Sequence, residues 1–213
     1  AKVDSSLVQD GFQIYHHSFL FSRKGNWAVI QQGMNADAVA ARRYHWYSEN
    51  IEDLVCEPHV AISSALIGEH VLNMVARKSA DTRARSTELV SEGYAPLMKE
   101  IQILRRHSSR LSRITAVKNK RGEQLTLLTL ADAEFDSHPV IAEDFSKSKY
   151  LEHILARVTE QKPETYERLI ATEGVGPKTV RALALVAEVI YGARPSYEDP
   201  ARYSFAHGGK DAT

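Results

Sequence analysis

Two apolar-periodic segments flank a glycine turn between Thr165 and Gly192, and this stretch restricts the fold more than any other. Tyr166-Glu167-Arg168-Leu169-Ile170 predicts a short amphipathic helix, and Val180 to Tyr191 predicts a longer one. Between them stands Glu173-Gly174-Val175-Gly176-Pro177-Lys178-Thr179. Pro177 suits the first turn of the second helix, where its missing N–H costs nothing. The glycines suit a tight turn that needs positive φ, and they let an anion approach the backbone closely. Unpaired N–H groups at the start of the second helix carry a partial positive charge that favours a phosphate. Lys178 and Thr179 are expected beside such an anion.

These residues resemble the helix-hairpin-helix element of DNA repair proteins, polymerases and nucleases. The matching positions are Gly174, Val175, Gly176, Lys178 and Thr179, with Leu169 and Ala184 as packing positions. The resemblance implies contact with DNA phosphates. The other reading is a plain helical hairpin whose glycines serve close packing.

The chain has 213 residues, enough for one large domain or two small ones. Its formal net charge is zero, which argues against a histone-like grip on nucleic acid but leaves room for one basic face. A single cysteine, Cys56, excludes an internal disulfide and suits a reducing, cytoplasmic setting. A buried structural thiol is expected there in preference to a nucleophile. No apolar run is long enough to span a membrane, and no secretory n-region followed by an h-region is read in the sequence given, so no membrane partner is expected. The sequence starts at Ala1 and is expected to be a piece of a longer protein.

Alternation over Gln13 to Ser22 and Trp27 to Met34, with Arg23-Lys24-Gly25-Asn26 between, predicts a β-hairpin. Period two places His16 and His17 on opposite faces. Asn35 is read as the cap of a helix carrying Arg42, Arg43, Tyr44, His45, Trp46 and Tyr47. There Arg42 and Arg43 are candidate phosphate contacts, and Trp46 or Tyr47 a candidate base-stacking surface; an ordinary amphipathic helix is the alternative. Glu57-Pro58-His59 places a carboxylate close to an imidazole in sequence, a candidate metal or acid–base pair, with a simple loop as the alternative. A long helix is expected from Glu69 through Val90, stopped by Gly93.

From Lys99 to Arg121 eight cations meet one acid, Glu100. Helical spacing sets Arg106, Arg110 and Arg113 on one side, a phosphate-tracking surface. Gln124 to Leu130 predicts a buried strand. Asp132 to Lys149 is acidic and loop-like, and a domain boundary is expected there, giving a mixed domain over 1–135 and a helical DNA-binding module over 136–213. Tyr150 to Gln161 predicts a helix leading into the hairpin. In the tail, Gly208-Gly209-Lys210 suits an anion, and Tyr203 is a further stacking candidate. The expected class is α+β, a β-hairpin-containing first part with long helices followed by the helical module.

Several stretches together resemble the archaeal and bacterial family catalogued as domain of unknown function 763. They are Gln9-Asp10-Gly11, Trp27 to Asn35, Arg42-Arg43-Tyr44-His45-Trp46, Glu57-Pro58-His59, Gly174 to Thr179, and Arg202 to Lys210. This resemblance spans nearly the whole chain and implies no activity. A second resemblance is local. Endonuclease III-like DNA glycosylases carry a lysine two residues after the second hairpin glycine and an aspartate further on. Lys178 matches the lysine, and Asp199, a few residues late, is the candidate aspartate. That resemblance implies a glycosylase/lyase in which Lys178 attacks the sugar carbon as a damaged base leaves, while Asp199 stabilises charge or activates the nucleophile. Its fold is all-helical, unlike the β-rich first part here. Two other readings stand beside it. One is a metal-dependent nuclease using Mg²⁺ or Mn²⁺ on Asp10, His17, Glu57 and His59. The other is a DNA-binding or scaffold protein without catalysis.

Overall fold

The computed structural model describes residues 1–108, 117–118, 124–125 and 148–202. The chain is a mixed α+β protein, with an antiparallel sheet first and helices after it. It divides into two compact units, one of Ala1–Ala80 with Ser196–Thr213, the other Asp81–Pro195. The boundary expected near residue 135 falls outside the described residues.

The first unit begins with a short helix, α1 (Lys2–Leu7), and strand β1 (Val8–Gln9). Its main sheet is an antiparallel meander of β2 (Gln13–Phe21), β3 (Trp27–Asn35), β4 (Ala40–Tyr47) and β5 (Ala61–Ser64). The β2–β3 hairpin lies where the alternation placed it, and its turn closes with Ser22 N–H donating to Asn26 O at 2.7 Å. A fifth neighbour, β6 (Leu72–Asn73), pairs with β1 and not with the meander.

The helix expected after Asn35 is instead strand β4. It pairs with β3 along its full length, Tyr44 opposite Gln31 and Arg42 opposite Gly33. Asn35 caps a turn and not a helix: its Oδ1 accepts from Ala38 N–H at 3.0 Å. Along β4 the side chains of Arg42, Tyr44 and Trp46 are buried, and those of Ala41 and Arg43 are exposed. This is a period-two pattern. An inward arginine hides that pattern from any count of apolar residues.

The long helix expected from Glu69 is likewise shorter. Residues 71–73 are extended and bond to the far end of the chain, Val71 N–H to Tyr197 O at 3.0 Å and Asn73 N–H to Ser196 O at 2.9 Å. A 3₁₀ turn, Arg77–Ser79, then leads into α2 (Ala80–Ser91). Gly93 does end this segment, with φ of 106°.

The second unit holds α2, α3 (Tyr94–Ser108), α4 (Lys149–Gln161), α5 (Tyr166–Ala171) and α6 (Pro177–Tyr191). A two-residue pairing of β7 (Val117–Lys118) with β8 (Gln124–Leu125) is the described part of the strand expected over 124–130. Ser148 caps α4 through Leu151 N–H, and Thr165 caps α5 through Arg168 N–H. Leu97, Ile101, Ile154, Leu155, Val158, Leu169, Leu183 and Val186 form the apolar interior. No helix among the described residues is long and apolar enough to cross a membrane.

Candidate functional site

The turn between α5 and α6 is built by two glycines with different tasks. Gly174 takes φ of 84°, a conformation that suits glycine. A Cβ on it would also lie 2.2 Å from Ile154 Cδ1. Gly176 is extended and serves as the N-cap of α6, with Pro177 in the first turn. A Cβ on Gly176 would meet nothing within 4 Å, so the space before the helix is open. Thr172 N–H turns back to Arg168 O and Leu169 O, and Val175 N–H bonds Thr172 O at 3.3 Å. The amides of Gly174, Gly176 and Lys178 have no acceptor among the described residues. Lys178 is exposed, and the first turn of α6 carries no acid. Val175 and Thr179 are buried, so their side chains serve packing.

The first unit buries charge. Arg42 is 0% exposed and lies against the ring of Phe12, its Cζ 4.4 Å from the centroid. It donates to both oxygens of Asp199, at 2.9 and 2.7 Å, to Asp10 at 2.7 Å and to Leu66 O at 2.8 Å. Tyr44 Oη donates to Asp10 at 2.6 Å. Gly68 and Ala201 N–H groups complete the shell of Asp199, at 2.6 and 2.9 Å. Burial pushes both carboxyls up, with different results. For Asp199 the Arg42 fork and two amides outweigh it and hold the group below its usual range. For Asp10 burial prevails over Arg42 and Tyr44, and the group sits above its usual range. Burial and the Asp10 carboxylate together hold the Tyr44 phenol far above its normal value.

These contacts change several sequence-level roles. Arg42 has no surface to offer a phosphate; Arg43, on the opposite face of β4, does. Trp46 is 7% exposed and gives its indole N–H to Asp4 at 3.0 Å, so a base cannot stack on it. Asp199 is 0% exposed and already accepts four hydrogen bonds, which leaves it no role at a sugar. Lys178 belongs to the second unit, Asp199 to the first.

Three of the four expected metal ligands take separate partners. Asp10 belongs to Arg42. Glu57 accepts from Arg77 N–H and pairs with Arg77 Nε, both at 3.1 Å. His59 Nε2 contacts Asp4 Oδ1 at 2.5 Å. Among the described residues no three His, Cys, Asp or Glu side chains gather as a metal site would require. His17 sits on edge strand β2, opposite Gln31. Cys56 is half-buried. Arg106 lies on α3, while Arg110, Arg113, Tyr203 and Lys210 fall outside the described residues.

Sequence reasoning missed Asp4. It is 1% exposed and accepts from the Gln31 amide and the Trp46 indole as well as meeting His59. No local signal marks it, because its partners lie 27, 42 and 55 positions away. Beside His59 opens a cleft of about 450 Å³ lined also by Ile62, Val75, Pro200, Arg77 and Lys78.

The molecule is thus an α+β protein with a charge-cored sheet unit and a helical unit that presents an open hairpin. Its family model, described as a protein of unknown function (DUF763), matches residues 1–213, and the chain belongs to that family. No curated protein and no solved structure matches it.

Proposed function

We propose that the protein binds DNA, in repair or processing, through the α5–α6 turn acting as a helix-hairpin-helix element. The observation that carries this reading is the set of unpaired amides at Gly174, Gly176 and Lys178, before and within the first turn of a fifteen-residue helix. Such amides supply hydrogen bonds to a phosphate, and the helix dipole adds favourable potential. Exposed Lys178 adds a full charge. Arg43, and the arginines Arg106, Arg110 and Arg113, are further phosphate contacts in this reading.

The glycosylase/lyase form of the proposal keeps Lys178 as nucleophile. Its amine would form a bond to the sugar carbon as the base leaves with the bonding electron pair. Loss of a proton from nitrogen and opening of the ring then give the Schiff base. Asp199 has no part in it, being committed to Arg42. Without such chemistry the same surface is a binding module.

Duplex affinity measured by fluorescence anisotropy against salt tests the binding. Lys178→Ala is expected to reduce the slope of log affinity against log salt by about 1. An unchanged slope and affinity would remove the hairpin from the interface. Borohydride trapping on lesion-bearing DNA tests the chemistry: an adduct lost in Lys178→Ala supports the lyase, and no adduct on a broad lesion panel leaves binding alone.

A further inference from the structure

The inner face of the main sheet continues past the core. Residues directly opposite one another in an antiparallel pair share a face. The register sets Phe19 opposite Val29 and Val29 opposite Trp46, with Phe21 opposite Trp27 one step further out. Trp46 is 7% exposed, Phe19 54% and Phe21 79%. The β2–β3 hairpin thus carries an aromatic face from the core into solvent. Phe19 and Phe21 have ring centroids 6.0 Å apart with planes at 30°, and Phe19 and Trp27 have centroids 6.1 Å apart at 33°. Large apolar side chains grouped in solvent mark a binding surface.

The turn that ends the hairpin adds charge of one sign. Arg23 and Lys24 are exposed, and no acid occurs between Gln13 and Asn35. Neither cation has an ion partner among the described residues. Glu49, the acid recorded beside the turn, accepts from Asn26 Nδ2 at 2.5 Å. Exposed rings next to free cations match a polymer that carries flat bases and phosphates. A second protein strand fits less well. β2 is an edge strand, but a bulge shifts its register between Ile14 and His16, and edge bulges bend a strand away from pairing with another chain. A duplex also fits less well, because its bases are already stacked on one another.

We propose that the β2–β3 hairpin binds single-stranded DNA, with bases stacked on Phe19, Phe21 and Trp27 and phosphates at Arg23 and Lys24. That the strand is DNA rests on the reading of the α5–α6 turn; the surface itself is separate from that turn. Titration of the full chain with a short oligothymidylate, followed by tryptophan fluorescence, tests it. The chain has two tryptophans, and Trp46 is buried, so quenching reports on Trp27 and should vanish in Trp27→Phe. Phe21→Ala, at an exposed position, should weaken binding about tenfold. Phe21→Leu should weaken it similarly and Phe21→Tyr should not, since stacking needs a ring and not only apolar bulk. Arg23→Ala should lower the slope of log affinity against log salt by about 0.7. Lys178→Ala should leave oligothymidylate binding unchanged, and Phe21→Ala should leave duplex affinity unchanged, so either site can fail without the other. No quenching, full affinity in Phe21→Leu, or tighter binding of the matching ribo-oligomer would overturn the proposal. So would a dimer in sedimentation equilibrium that Phe21→Ala abolishes and oligothymidylate does not disturb, which would assign the face to a second copy of the chain.

Discussion

The inward faces of β4 and α6 show two ways of holding a unit together. From β4 the buried side chains are Arg42, Tyr44 and Trp46; from α6 they include Val180, Leu183 and Val186. The sheet unit adds to buried apolar residues such as Leu7, Ile62 and Met74 a few paired charges and aromatic donors whose partners, Asp4, Asp10 and Asp199, come from distant parts of the chain. The helical unit depends on apolar area spread over many residues, with caps made locally. A buried ion pair is costly to break but adds little net stability over an apolar core. Arg42 with its two aspartates is best understood as a device that selects one arrangement of the chain. Asp4, Asp10, Arg42 and Asp199 of the sheet unit are partnered inside it, whereas the amides of Gly174, Gly176 and Lys178 have no acceptor among the described residues.

The largest expected effect tests the charge core. Arg42→Met strands two buried carboxylates and should lower the unfolding free energy by about 3–5 kcal/mol, measured by chemical denaturation. A loss below about 1 kcal/mol would mean that the network is incidental, and the comparison would fail. In the helical unit, Leu183→Ala should cost about 2–5 kcal/mol by opening a cavity. Here a double variant with Leu155→Ala would sharpen the contrast: distributed apolar packing should show near-additive losses, whereas Arg42→Met with Asp10→Asn should cost less than the sum of the two.

Gly174→Ala comes next, at about 1–3 kcal/mol, because the substitution strains φ and drives a methyl into Ile154. Thermal melting of that variant should fall while Gly176→Ala, with open space around it, melts nearly as the parent does. The smallest effect is in pH. Asp199 sits below its ordinary value, so its contribution is complete above that value and is lost as pH falls through the depressed one. Asp10 sits above its ordinary value, so its contribution is complete below that value and is lost as pH rises through the raised one. Denaturation midpoints followed from acid to neutral pH should therefore decline on both sides of an optimum. Asp10→Asn should flatten the neutral side alone; an unaltered profile would show that Arg42 keeps Asp10 ionised throughout.

Elements whose cause is local are legible in the sequence. The β2–β3 hairpin follows from alternation and a glycine-containing turn, α4 from its periodicity, and the α5–α6 turn from Gly174, Gly176 and Pro177. Each is decided by residues within a few positions, because backbone sterics and side-chain period act at that range. Where the structure departs from the sequence pattern, the cause is equally specific. Residues 40–47 carry arginine, tyrosine and tryptophan that suit a helix or a strand, and only pairing with β3 selects the strand. Residues 71–73 are extended because Ser196 and Tyr197 bond them, more than a hundred positions away. The same distance governs the candidate sites. Local residue order alone set the stage for the α5–α6 turn. It took the folded chain to bury Arg42 between Asp10 and Asp199 and to place Asp4 behind His59, since a charge accepts burial only where its partner has already been brought within hydrogen-bond reach.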